Sequence, residues 1–149
     1  NRLLDENGLD EVVARSGRNF TYLSGFAYPG TLARLLDLPD SDRGVMVLWP
    51  RSGDPVLIVI GTAAGLAARD SWIERQVIYE GYVESPYKRL GELLHDEGLS
   101  AARVGFERDY VSARDWSLVA DAVTISPCQA LEQVLVQRRV YRQLIRLQI

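Results

Sequence analysis

Cysteine and histidine are nearly absent from this chain, with Cys128 and His95 the single examples of each among 149 residues. One cysteine excludes an intrachain disulfide and any multi-cysteine zinc site, and it suits a reducing cytoplasm. Long apolar runs are missing as well. The apolar uncharged stretch Pro55 to Ala68 is shorter than the ~20 apolar residues of a membrane span, and Gly61, Thr62 and Gly65 interrupt it. Positive charge is not in excess: the net charge is -3 and the isoelectric point near 5.2, so nothing electrostatic calls for nucleic acid or an anionic membrane as partner. No spacing matches His-Glu-x-x-His, Gly-x-Ser-x-Gly, a phosphate loop or Gly-x-Gly-x-x-Gly. No basic, apolar and small-residue leader opens the chain, and Asn1 is not an initiator methionine, so the expectation is a piece of a longer protein.

With 47% hydrophobic and 25% charged residues, the chain suits one globular domain with a real core. Arg2 to Asn7 reads as the end of a helix, stopped by Gly8. A short strand, Val12 to Ala14, then leads through Ser16-Gly17 into one helical turn carrying Phe20 and Leu23, which breaks at Gly25. Thr31 to Leu38 has the spacing of a brief helix, inside a connection long enough to suggest a functional insertion.

Val45 to Trp49 and Pro55 to Ile60 are continuous apolar runs joined by the turn Pro50 to Asp54. Continuous rather than alternating hydrophobicity implies strands covered on both faces. Thr62 is placed to cap a helix with Leu66 and Ala67, and Val77 to Tyr79 returns as a strand. Ser85-Pro86 opens the clearest helix, with Tyr87, Leu90, Leu93 and Leu94 on one face and Gly98 as its stop. Arg103 to Phe106 is a further strand. Ser112 with Asp115 three residues on forms an acidic capping box before a helix presenting Trp116, Val119, Ala120 and Val123. Val123 to Ile125 and a long final helix complete an α/β pattern, a mixed sheet of about six strands between helical layers.

Two segments carry a family resemblance. Leu9-Asp10-Glu11-Val12-Val13 followed by Asn19-Phe20-Thr21-Tyr22-Leu23-Ser24-Gly25-Phe26 resembles the opening of the amino-terminal domain of the pita-bread metallopeptidases, the family of Xaa-Pro dipeptidase (prolidase), aminopeptidase P and creatinase. Val104-Gly105-Phe106-Glu107 with Asp109-Tyr110-Val111-Ser112 is similar to a second family segment. The resemblance implies a three-layer domain with a ribonuclease H-like motif over residues 1–127. It also implies that residues 128–149 form a connecting helix toward a catalytic domain. The family's Lys-(Ser/Thr)-Pro turn has no counterpart there, since no proline follows Pro127.

The family's chemistry is dinuclear metal hydrolysis, with manganese, cobalt or zinc ions activating a water against an amide carbonyl. Its metal ligands belong to the carboxyl-terminal domain, so the resemblance implies no catalytic residue, metal ligand or cofactor in this chain. His95 beside Asp96 near a helix end reads as a solvated residue rather than a ligand. Asp10, Glu107 and Asp109 at strand ends form a conceivable carboxylate cluster, with capping and solvation as the ordinary alternative. Cys128 reads as an incidental thiol. Arg138, Arg139, Arg142 and Arg146 suggest either a phosphate partner or one solvated helix face.

Tyr28 and Arg34 lie in the loop that, in relatives, reaches toward the partner subunit's active site. The resemblance makes them candidate contacts for a substrate's carboxylate or peptide. The resulting reading is a non-catalytic domain serving dimerisation and substrate access in a cytoplasmic hydrolase of proline-containing peptides. Its expected partners are a second copy and its own catalytic domain. A stand-alone α/β binding module and the amino-terminal domain of a creatinase-type amidinohydrolase remain alternatives.

Overall fold

The computed structural model describes residues 2–30, 43–106 and 111–121. Helix α1 (Arg2–Asn7) ends where Gly8 turns at φ 60, and strand β1 (Glu11–Arg15) follows. Helix α2 (Arg18–Ser24) ends on Gly25. Strands β2 (Met46–Pro50) and β3 (Val56–Ile60) form the expected hairpin, whose turn contains Gly53 at φ 95. Helix α3 (Gly61–Asp70) leads to β4 (Gln76–Tyr79), helix α4 (Pro86–Asp96) to β5 (Val104–Phe106), and helix α5 (Ala113–Ala120) comes last. The expected helix over 31–38, the strand over 123–125, the final helix and the boundary at 127 lie outside the described residues.

The described strands make one five-stranded sheet in the order β4-β3-β2-β1-β5. It is mixed: β1 runs antiparallel to β2 and β2 to β3, while β1 with β5 and β3 with β4 are parallel. All five residues of β3 are buried. Successive side chains of a strand point to opposite faces, so this strand is covered on both, as its unbroken apolar run implies.

Register assigns the faces. Val13 pairs with Leu48 on one side and Phe106 on the other, and Glu11, two residues back, shares their face. Phe106 packs edge-on against Trp116 of α5 at 6.0 Å and tilted against Tyr87 of α4 at 6.3 Å, so those two helices cover that face. On the other face Val12, opposite Trp49, gathers with Leu4 and Leu9 into a small cluster beneath α1.

Helix starts separate into two kinds. Ser112 caps α5 as expected: its Oγ accepts from the Asp115 N–H at 3.1 Å and donates to the Asp115 carboxylate at 2.5 Å. The expected Thr62 cap is corrected, because α3 already begins at Gly61, directly out of β3, with Ile60 extended in the capping position and no side-chain bond. Ser85 holds the capping position of α4, yet its buried Oγ has no partner among the described residues. Trp116 is half-buried rather than fully enclosed, while Val119 is completely buried.

Candidate functional site

The exit of α2 is held by a compact set of bonds. Gly25 turns left-handed at φ 73, and its N–H donates to Thr21 O. Ser24 is wholly buried; its Oγ donates to Phe20 O at 2.7 Å and accepts from the Phe26 N–H at 3.1 Å, which fixes the turn from both sides. Phe20 and Phe26 meet edge-on at 6.0 Å in the core. The residues after α3 clamp this exit from outside: Ser71 Oγ donates to Ser24 O at 2.7 Å, and Trp72 Nε1 donates to Leu23 O at 2.9 Å. Trp72 also packs edge-on against Trp49 of β2 at 5.6 Å. The left-handed dihedral of Gly25 favours glycine, and a Cβ there would crowd Trp72 Cδ1 at 3.3 Å.

Beyond the clamp, Tyr28 is half-buried, its ring 6.2 Å from Phe26 and folded over Gly30. A side chain at Gly30 would collide with that ring. The tyrosine is therefore placed by the same core that anchors α2. Arg34 lies outside the described residues. Trp72 and Ser71 were missed by the sequence reading. An Asp-Ser-Trp step closing a helix was the available signal, but nothing local ties it to a turn 47 residues earlier.

A second group gathers where β1 starts. Asp10, from the conceived carboxylate cluster, serves as a tie: its Oδ2 accepts from the Arg103 N–H at 2.9 Å, and its N–H donates to Arg103 O at 2.9 Å. Arg51 lies 3.6 Å from its Oδ1 and donates through Nε to Leu9 O at 3.0 Å. Glu107 and Asp109 lie outside the described residues, as do Cys128 and the four arginines from Arg138 to Arg146.

Glu11 is the unforeseen member of this group. It is only 3% exposed, and its Oε2 has no hydrogen-bond partner among the described residues. Burial, with Glu97 and then Asp10 nearby, pushes its carboxyl up to about 7. His95 stands at the exposed end of α4, its Nδ1 3.2 Å from Ser100 Oγ. Among the described residues no three His, Cys, Asp or Glu side chains gather as a metal site.

The sequence matches the model of the creatinase/prolidase N-terminal domain over residues 1–140. The chain belongs to that family. No curated protein matches it significantly, but solved structures do. The Xaa-Pro dipeptidase from Bacillus anthracis is similar at 16% identity with a TM-score of 0.66, over 92% of this chain and 32% of that one. The N-terminal domain of the cytoplasmic peptidase PepQ from Mycobacterium tuberculosis H37Rv is similar at 18% identity and TM-score 0.68, over 90% of this chain and 92% of that one. A creatinase/prolidase N-terminal domain of an X-Pro dipeptidase from Streptococcus pyogenes gives 17% and 0.65, over 89% of this chain and 92% of that one.

At these identities the likeness shows the fold. This creatinase/prolidase N-terminal domain spans about a third of the Bacillus anthracis dipeptidase and nearly the whole of the separately solved amino-terminal domains. The Asn19 to Phe26 segment is thus the anchored turn of a known domain type.

Proposed function

We propose that this domain is the non-catalytic amino-terminal part of a metal-dependent Xaa-Pro dipeptidase or aminopeptidase, and that it serves dimerisation and substrate access. The observation that carries the reading is the pair of coverages: almost all of this chain against one third of a full-length dipeptidase, and against nearly all of isolated amino-terminal domains. Manganese, cobalt or zinc would be held by the catalytic portion, and cytoplasmic residence follows the description of the mycobacterial relative. Ile78, Tyr82 and Val83 support an associating role, since they leave large side chains exposed along and just after β4, an edge strand among the described residues.

In this reading Tyr28 and Arg34 belong to the loop that meets substrate, with the Arg34 guanidinium offering forked donors to a carboxylate. The open reading frame beyond Ile149 tests the parentage. Two aspartates, a histidine in a glycine-rich setting and two glutamates support it, whereas a stop codon near Ile149 makes the chain a stand-alone binding module. In the full-length parent, Arg34→Ala is expected to raise KM for a dipeptide more than for its carboxamide analogue. The difference should be on the order of 1–3 kcal/mol, the worth of a charged hydrogen bond. Equal effects on both substrates return Arg34 to the surface.

A further inference from the structure

Glu11 sits at a seam. It opens β1, the strand between β2 and β5, and its register partners are Pro50 and Val104, so it lies at the sheet end where β2 finishes and β5 starts. The connection from α4 to β5, residues 97–103, is tied to β1 next to it by the two Asp10–Arg103 bonds. Within that connection the Ala102 N–H donates to Leu99 O at 2.9 Å. An acid is unusual here, because a buried charge without a partner costs several kcal/mol.

The charged groups around Glu11 are already engaged with one another. From its own strand, Asp10 accepts from Arg103 and lies near Arg51. From the β2–β3 turn, Arg51 donates to Leu9 O and reaches Asp5 of α1 at 3.5 Å. From the end of α4, Glu97 is paired with Arg75, which precedes β4. The Arg103 guanidinium lies against Gly8. The two nearby acids repel a charge on Glu11, and among the described residues no cation lies within ion-pair distance of it.

We propose that the Glu11 carboxyl is a proton-operated latch on the seam between β1 and the α4–β5 connection, closed while protonated and opened locally when the proton is lost. The proton goes to water, and the carboxylate gains hydration as the Asp10–Arg103 ties part. Opening is cheaper than unfolding, because the buried interior strand β3 need not move. Glu11 titrates near 7 when closed and near its ordinary 4.5 when open. The open fraction therefore rises with pH between those values and levels off above about 7.

Amide hydrogen exchange on the purified chain, expressed as protection factors so that the intrinsic pH dependence cancels, reads this directly. Between pH 5 and 7.5 protection at Asp10, Ala102 and Arg103 is expected to fall at least tenfold while staying below that of Val59 in β3 at every pH, because the seam opens without global unfolding. In Glu11→Gln the seam amides should show no such fall. A flat wild-type profile, a fall that persists in Glu11→Gln, or seam protection equal to that of Val59 overturns the latch. Side-chain carboxyl titration by NMR keeps the test independent of that variant: wild-type Glu11 should have its midpoint near 7, and Glu97→Gln should lower it. A wild-type midpoint near 4.5, or one that Glu97→Gln leaves in place, also overturns it.

Discussion

Gly25 shows how much one residue carries. Its φ of 73 costs an L side chain about 1–2 kcal/mol, and any Cβ must also push on Trp72. Gly25→Ala is therefore expected to destabilise the domain by roughly 1–3 kcal/mol, read as a lower midpoint with unchanged slope in urea. Glu11 sets a second residue-scale expectation. Its proton is bound more tightly in the folded state than in the unfolded one, so stability is greatest below about pH 4.5, falls as pH rises toward 7, and is flat beyond. Glu11→Gln should remove that slope and be the more stable protein at pH 8, by on the order of 1–3 kcal/mol. Gly25 was legible in the sequence because a glycine closing a short helix has a local cause. Glu11 was not, because its burial depends on Val104 and the end of α4, some ninety residues away.

At the scale of elements, the two serine-led helices separate pattern from outcome. Ser112 has Asp115 three residues on, whose carboxylate takes the hydroxyl hydrogen and leaves the Oγ lone pair to the Asp115 N–H. Ser85 has Lys88 at the matching place, which offers no acceptor, and its Oγ stays unpaired. Ser112→Ala should cost about 1 kcal/mol of stability in a denaturant titration. Trp116 packs α5 onto Phe106 with part of its ring open, so Trp116→Ala should cost less than the ~3–5 kcal/mol of a fully enclosed ring. A loss at the top of that range would mean the ring is enclosed in solution. The face of α4 was readable in full, since Tyr87, Leu90, Leu93 and Leu94 follow the helical period and all four are buried.

For the whole molecule, the expectation is that the chain alone hydrolyses no Xaa-Pro dipeptide when manganese, cobalt or zinc is supplied. A dinuclear site needs more nitrogen and carboxylate ligands in one place than a lone histidine at an exposed helix end provides. Metal-dependent turnover that follows this chain through purification and disappears in His95→Ala would reverse that conclusion. Local sequence determined the order of the described elements, the buried hairpin of β2 and β3, the inward face of α4, and the family, because each rests on residues within one turn, one strand or one short motif. Tertiary structure alone decided the mixed strand order, the clamp of Ser71 and Trp72 on the α2 exit, the tie of Asp10 to Arg103, and the burial of Glu11. Those features join residues far apart in the chain, and no local propensity records which distant strand or helix end will arrive beside a given side chain.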